Sequence, residues 1–301
     1  MRNKVTLQVH GQDFTLGQQT WIMGILNVTP DSFSDGNLYF DRDKAVKHGL
    51  DLVKEGADII DVGGESSRPG SDRVPLEEEL RRILPVISEL RENTDTLLSI
   101  DTTKAEVARK ALDAGANMIN DISSFRFDPE MMSLAAERET TVILMHMKGN
   151  PETMQDNPTY ENLLAEVKSF FEEKIDLAVS SGIEREKIII DPGIGFGKNF
   201  RDNLSLIQNL GYFEELERPL LVGLSRKSFL GKIMDQPPQD RLEGSLSAAV
   251  LSVSHGAHLL RVHDVAATKK AILVAEAILN EKKPDKTPNS RVIEKNQHYV
   301  F

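Results

Sequence analysis

The sequence predicts an α/β protein: an eight-stranded parallel (β/α)8 TIM barrel with an N-terminal β-hairpin and a polar C-terminal tail. Two observations carry that expectation. Eight short apolar runs recur along the chain, and each ends in polar residues. Stretches with helical periodicity separate the runs. A strand-then-helix alternation of this kind closes into a parallel barrel whose reactive groups sit where the strands end. The units occupy residues 21–280, close to the roughly 250 residues typical of the architecture. Residues 1–280 are therefore read as one domain, with 1–20 as the hairpin segment and 281–301 as the tail.

The elements follow in order. Residues 4–16, KVTLQVHGQDFTL, alternate apolar and polar on both sides of His10-Gly11. That pattern is a hairpin, placed to plug the N-terminal end of the barrel. The strand runs are IMGILN ending at Asn27, DIIDVGGE carrying Asp61, LLSID at Asp101, and MIND at Asn120 and Asp121. VILMHM at His146, IIID at Asp191, LLVGLSRK at Lys227, and LLRVHD at Arg261 and His263 complete the set. Asp43 is expected to cap a helix running to Gly56, and Thr102 or Thr103 to open one ending at Gly115. Pro75 opens a helix in which Pro85 should force a kink or an early end. Asp128-Pro129 opens another, and Pro158 precedes a long one ending at Gly182. Two connections, 27–41 and 63–75, exceed what a scaffold needs and are rich in Gly, Pro, Ser and Asp. They read as lids over a site, against the plainer alternative of tolerated insertions. After Asn280 the composition turns polar and Pro-rich, which marks a tail outside the core.

Composition narrows the partners. A net charge of -11 argues against nucleic acid or an anionic membrane as partner, because the summed field repels phosphate backbones. With no Cys there is no disulfide and no thiolate nucleophile, which suits a reducing cytosol. The start lacks the apolar core of a signal peptide and no run approaches membrane-spanning length, so a soluble cytoplasmic protein is expected.

Two groups of residues stand at the strand ends. Strand side chains alternate in direction, so Ser225 and Lys227 are expected to point the same way, as are Arg261 and His263, and Arg68 on the second long loop can join them. Such cations point to a phosphorylated or diphosphorylated small molecule. The alternative is a buried network in which Lys227 and Arg261 pair with Asp191, Asp61 or Asp264. The second group is Asp61, Asp101, Asn120 and Asp191, able to read the donor edge of a flat heterocycle, hold a metal or stabilise positive charge. Any one of them can instead cap a helix, and Asp101 before TTKAEV is well placed for that. GIGFGK (193–198) looks like a phosphate-cradling loop but lacks the spacing of one. His255 and His258 lack an acidic partner pattern for zinc, no G-x-S-x-G occurs, and EEELRR (77–82) reads as a solvated helix face.

Taken together, MGILNVTPDSFSDG, IIDVGGESSRPG, SIDTTK, INDIS, LMHMKGNP, IIDPGIGFGK, GLSRKSFLG and RVHDV resemble the motif set of the dihydropteroate synthase family. They fall in family order over residues 22 to about 280. Two departures are mild: Ser67 where the family usually has Thr, and Asn37 where a second Gly is common. The resemblance implies condensation of a dihydropterin diphosphate with p-aminobenzoate, giving dihydropteroate and pyrophosphate. It implies Asp101, Lys227, Asn27 and Arg261 as catalytic residues, and Asp101, Asn120, Asp191, Lys227, Arg261, Met145 and Phe196 around the pterin. The diphosphate falls to Asn27, Ser66, Ser67, Arg68, Arg261 and His263, with Asn27 as an oxygen ligand to Mg2+. Phe33, Ser67, Pro69, Lys227 and Ser228 surround the aminobenzoate, and a homodimer is implied.

The expected chemistry is dissociative. Pyrophosphate leaves first, and Asp101 stabilises the pterin methylene cation. Pyrophosphate with Mg2+ then closes the two long loops, Arg68 included, so aminobenzoate binds last. Two rival readings are a pterin-binding methyltransferase barrel and a non-catalytic pterin-binding relative.

Overall fold

The computed structural model describes residues 2–29, 38–66 and 73–281. The chain opens with β1 (Val5–Val9) and β2 (Gln12–Leu16), paired antiparallel. Their turn places His10 and Gly11 at φ 50° and 73°, the left-handed conformations that a two-residue hairpin needs.

The remaining strands are β3 (Trp21–Asn27), β4 (Ile59–Gly63), β5 (Leu97–Asp101), β6 (Met118–Asp121), β7 (Thr141–Met145), β8 (Ile188–Asp191), β9 (Leu221–Gly223) and β10 (Leu259–Val262). Their order, β8-β7-β6-β5-β4-β3-β10-β9, is that of a barrel read around its wall, and an Ile190–Leu220 bridge joins the two ends. All neighbours in this sheet run parallel.

Side-chain alternation sorts each strand into two faces. Ile22, Ile60, Leu98, Val142, Ile188 and Leu260 pack outward in the large core shared with the helices. The alternate positions fill the barrel. At its N-terminal end Trp21, Met23, Ile59, Leu97, Met118, Ile143, Ile189, Leu221 and Leu259 meet Leu7, Val9 and Leu16 of the hairpin. The hairpin is therefore the expected plug, and each fully buried aliphatic in it contributes about 1.5–3 kcal/mol. One or two residues further along, the same inward face turns polar.

The helices are α1 (Leu38–Lys54), α2 (Leu76–Asn93), α3 (Ala105–Asp113), α4 (Glu130–Glu137), α5 (Leu163–Ser180), α6 (Phe200–Gln208), α7 (Ser228–Met234), α8 (Leu242–Ser254) and α9 (Val265–Leu279). Several starts differ from expectation. Asp43 caps nothing: α1 begins at Leu38, and the Asp43 carboxylate bonds the neighbouring Arg42 instead. Neither Thr102 nor Thr103 opens α3. Its Ala105 N–H is taken by Asp128 Oδ2 at 2.7 Å, while Thr102 Oγ1 donates to Glu79 Oε1. Asp128 Oδ1 also accepts from Glu130 N, so one side chain serves the starts of two helices. α5 begins beyond Pro158, where Asn162 accepts from Ala165 N. α2 carries Pro85 without an early end, continuing to Asn93. His255 Nδ1 contacts Ile207 O and His258 Nδ1 accepts from Leu220 N, so both imidazoles serve the scaffold.

Candidate active site

The polar layer of the barrel interior is built by register. Asn27 aligns with Gly63, Gly63 with Asp101, and Asp101 with Asn120. Met145 aligns with Asp191, and Arg261 with Gly223. The two glycines leave the space that side chains there would fill. A Cβ on Gly63 would stand 3.5 Å from Asp101 Cβ, and one on Gly223 would stand 3.8 Å from Arg261 Cβ.

Arg261 organises this layer. Its Nε donates to Asp61 Oδ2 and its Nη2 to Asp101 Oδ2, both at 2.6 Å. Asn120 Nδ2 donates to the same Asp61 oxygen at 3.0 Å. Since the Asn120 amide nitrogen is committed to Asp61, its oxygen is the atom left to accept from a ligand. Asp61 is wholly buried, and its Oδ1 has no protein partner among the described residues. Both in-plane bonds of Arg261 fix the guanidinium edge-on and leave its flat faces available.

Charge is tuned at three points. Loss of hydration raises the Asp101 carboxyl to about 7; Arg261 opposes the shift, while Asp61, Glu79 and Asp121 reinforce it. Burial lowers the Lys227 ammonium to about 8, with Asp191 opposing and Arg261 assisting. Burial also raises Asp191, against the pull of Lys227 and the Gly193 N–H. Arg261 keeps its charge: the two aspartates outweigh the cost of its burial. Shifts of opposite sign in neighbouring groups mark a functional cluster.

The open alternative for the cations resolves in part towards a network. Arg261 pairs with Asp61, as weighed, and also with Asp101. Asp264 pairs with Arg226 instead. Lys227 donates to Ile194 O and stands 4.3 Å from the Phe196 ring centroid. The assumed alternation fails past the strand ends. β9 stops at Gly223 and β10 at Val262, so Lys227 lies at the start of α7. His263 Nδ1 contacts Ser225 Oγ at 3.0 Å. Asp101 caps no helix. Asp121, on the outward face of β6, accepts from Ser123 N and Phe125 N and holds a turn.

GIGFGK is not a phosphate cradle. Gly193 N donates to Asp191, Gly195 N to Asn203 and Phe196 N to Gly193 O, so these amides are taken within the protein. The loop presents carbonyls to cations instead: Ile194 O to Lys227 and Phe196 O to Lys198. Gly195 sits at φ 84°, and a Cβ there would stand 3.1 Å from Lys227 Cδ. Beside the loop, Ile122, Met145, Met147 and Met154 pack with Phe127 and Phe196 into an apolar wall. A polar acceptor edge, a cation and an apolar wall together suit a flat, donor-rich heterocycle.

A second network escaped the sequence reading. Glu79 belongs to the run read as a solvated face, yet it is fully buried. Leu76, Leu80, Ile83, Ile87 and Leu90 show the signal, since residue 79 falls on that helical stripe. Its carboxylate meets Thr102 Oγ1 and Lys104 Nζ, and Lys104 also bonds Glu65. Lys104→Met leaves Glu79 buried without a counter-charge. We expect a loss of about 3 kcal/mol, roughly 6–12 °C in Tm for a domain of this size, measured by thermal unfolding. Adding Glu79→Leu should recover most of it; a double variant as unstable as Lys104→Met would refute the assignment.

Residues 23–263 match the model of the pterin binding enzyme family. The dihydropteroate synthase of Synechocystis sp. is 48% identical over 266 residues, covering 88% of this chain and 92% of the relative. The chain belongs to the dihydropteroate synthase family. Solved structures agree. Xanthomonas albilineans dihydropteroate synthase with 4-aminobenzoic acid has a TM-score of 0.85 and 46% identity, over 92% of this chain and 99% of that one. The same enzyme in complex with 7,8-dihydropteroate has a TM-score of 0.82 and 44% identity, over 91% and 98%. Membership in the dihydropteroate synthase family decides against the methyltransferase alternative.

Of the residues that the resemblance to dihydropteroate synthases had marked, Asp101, Asn120, Asp191, Arg261 and Met145 lie on strands at one end of the barrel. Asn27 ends β3 at that same end, and Lys227, Ser228 and His263 lie just past β9 and β10. Ser66 lies in the described first part of the second long connection. Phe33, Asn37, Ser67, Arg68 and Pro69 lie outside the described residues.

Proposed function

We propose that the chain condenses 6-hydroxymethyl-7,8-dihydropterin diphosphate with p-aminobenzoate, releasing 7,8-dihydropteroate and pyrophosphate, by dissociative loss of pyrophosphate. One observation carries the reading. The Asp61–Arg261–Asp101 network is bonded to Asn120 and lies within electrostatic reach of Asp191, in a chain matched along its barrel by synthases of this activity.

The pterin edge bears donors. Asn120 Oδ1 and the Asp191 carboxylate, whose Oδ1 already accepts from Gly193 N at 2.7 Å, are its acceptors. Lys227 faces the other edge and Arg261 stacks on the ring through its free face. The C–O bond to the diphosphate breaks with both electrons leaving on pyrophosphate. The methylene cation left behind is delocalised into the pterin and stabilised by ionised Asp101. The aminobenzoate nitrogen then donates its lone pair to form the C–N bond and sheds a proton.

Among the described residues no group of three His, Cys, Asp or Glu gathers to hold a metal. Asn27, at the end of β3, offers an amide oxygen, and one such protein oxygen together with substrate phosphates is a common donor set for Mg2+. Bound there, Mg2+ would offset the charge growing on pyrophosphate. The diphosphate is assigned to Asn27, Ser66, Ser67, Arg68, Arg261 and His263. Aminobenzoate is assigned to Phe33, Ser67, Pro69, Lys227 and Ser228, and binds last.

A homodimer in the cytoplasm completes the proposal. Leu204, Ile233 and Leu251 are exposed around an apolar cleft between α6, α7 and α8, as a self-association face requires. No helix among the described residues is long and apolar enough to cross a membrane.

The test is pyrophosphate release and dihydropteroate formation with both substrates and Mg2+. Absence of dihydropteroate would overturn the proposal. Asp191→Asn puts a donor against a donor and should weaken pterin binding by about 1–3 kcal/mol, a factor of about 5–150. Calorimetry showing unchanged pterin affinity in that variant would remove Asp191 from the pterin edge.

A further inference from the structure

Lys198 has no part in the chemistry above, yet only 2% of its surface is exposed. Its Nζ meets His146 Nδ1 at 2.8 Å, His146 O at 2.9 Å and Phe196 O at 3.0 Å. Three acceptors match the three N–H bonds of an ammonium, which has no lone pair to offer. His146 Nδ1 must then accept, so its proton sits on Nε2. Burial, with Lys198 and Arg126 nearby, drives the His146 pKa down to about 2, which keeps the ring neutral and the acceptor in place. Burial likewise pulls Lys198 well below its ordinary value, and Asp191 opposes that shift. A buried amino group whose nitrogen meets three polar partners, on His146 and Phe196, fixes a geometry that a hydrophobic side chain filling the same space would not.

The surroundings give that geometry a use. His146 N donates to Asp191 O at 2.9 Å, and Gly193 N to Asp191 Oδ1. Gly193, at φ 67°, has no room for a side chain: a Cβ would lie 2.0 Å from His146 O and 3.2 Å from Lys198 Nζ. Lys198 thus joins the end of β7 to the loop after β8. That loop carries Ile194 O, which holds Lys227, and Phe196, whose ring lies under the Lys227 ammonium.

We propose that Lys198 is a positioning residue for pterin recognition, its buried ammonium fixing the 193–197 loop against His146 so that Asp191, Phe196 and Lys227 converge on the pterin. The inference rests on the functional reading above. It acts through other residues, since nothing places Lys198 against the substrate.

The experiment measures affinity for the dihydropterin substrate without aminobenzoate, by calorimetry, at a temperature well below each variant's Tm. Parent enzyme, Lys198→Met, His146→Leu and His146→Asn are compared. Lys198→Met and His146→Leu should lose at least about tenfold in pterin affinity. His146→Asn keeps an acceptor near the Nδ1 position and should stay within about threefold of the parent. Unchanged affinity in a folded Lys198→Met, with only its Tm lowered, would overturn the proposal and reduce the residue to a scaffold role. If Lys198→Met does not fold, the histidine pair decides. Equal affinities in His146→Leu and the parent, or equal losses in His146→Leu and His146→Asn, overturn it as well. A parent that binds no pterin overturns the functional reading itself, an outcome separate from an intact parent with indifferent variants.

Discussion

Arg261→Met should nearly abolish turnover and also destabilise the fold. The guanidinium is bonded to both Asp61 and Asp101, with those side chains 0% and 12% exposed. Removing it leaves two carboxylates facing each other across a barrel interior. Breaking a buried pair from one side costs about 3–5 kcal/mol, roughly 10 °C in Tm. The catalytic loss has a separate origin. Asp101 already sits near 7 with Arg261 beside it; without that cation its carboxyl rises further and is protonated at neutral pH. The methylene cation loses its counter-charge, a loss of about 10²–10³ in rate, to which lost stacking on the pterin adds. Arg261→Lys should recover little, because one ammonium cannot span both aspartates with fork geometry. Steady-state kinetics at 25 °C together with thermal unfolding check both parts. A Met variant within tenfold of the parent in kcat/KM would refute this account of the network.

The barrel was legible because β strands with one inward face write their period into the sequence. Met23–Ile25–Asn27, Ile59–Asp61–Gly63 and Leu97–Ser99–Asp101 each pass from apolar to polar along that face. Asn120, Asp191 and Arg261 follow the same rule, so a common end for them could be read from alternation alone. Partner choice could not. That Arg261 reaches Asp61 and Asp101 rather than Asp191 or Asp264 depends on distances across a closed ring. The periodic reading also overran its elements at Lys227 and His263, where the chain has already left the sheet. Helix starts went astray for a related reason: the group that caps α3 is Asp128, from the loop after β6. The sequence reading of GIGFGK, which lacks the spacing of a phosphate cradle, is borne out, because glycine spacing reports backbone freedom without saying which backbone atoms face a ligand. Here the φ values turn carbonyls towards Lys227 and Lys198, away from any anion role.

The pH dependence of kcat/KM for the pterin substrate should be a narrow bell. Two groups set it in the free enzyme, the state that kcat/KM reports. Asp101 acts as a carboxylate. Its raised value of about 7 means that the active form is lost as pH falls through 7. Lys227 acts as a cation, and its lowered value of about 8 means that the active form is lost as pH rises through 8. Arg261 touches Asp101 and lies within electrostatic reach of Lys227, so the limbs are macroscopic constants of a coupled cluster. Beyond each limb the rate should fall about tenfold per pH unit, leaving roughly 1% of the maximum at pH 5 and at pH 10. Variants separate the limbs. Asp101→Asn should be slow at every pH and lack the acid limb, since an amide does not titrate in this range. Lys227→Arg, whose guanidinium stays charged to far higher pH, should lose the alkaline limb while binding pterin less well. An acid limb near the ordinary carboxylate value, about 4, would show that Asp101 is hydrated as freely as a surface residue. An acid limb that survived Asp101→Asn would place the essential carboxylate elsewhere in the barrel.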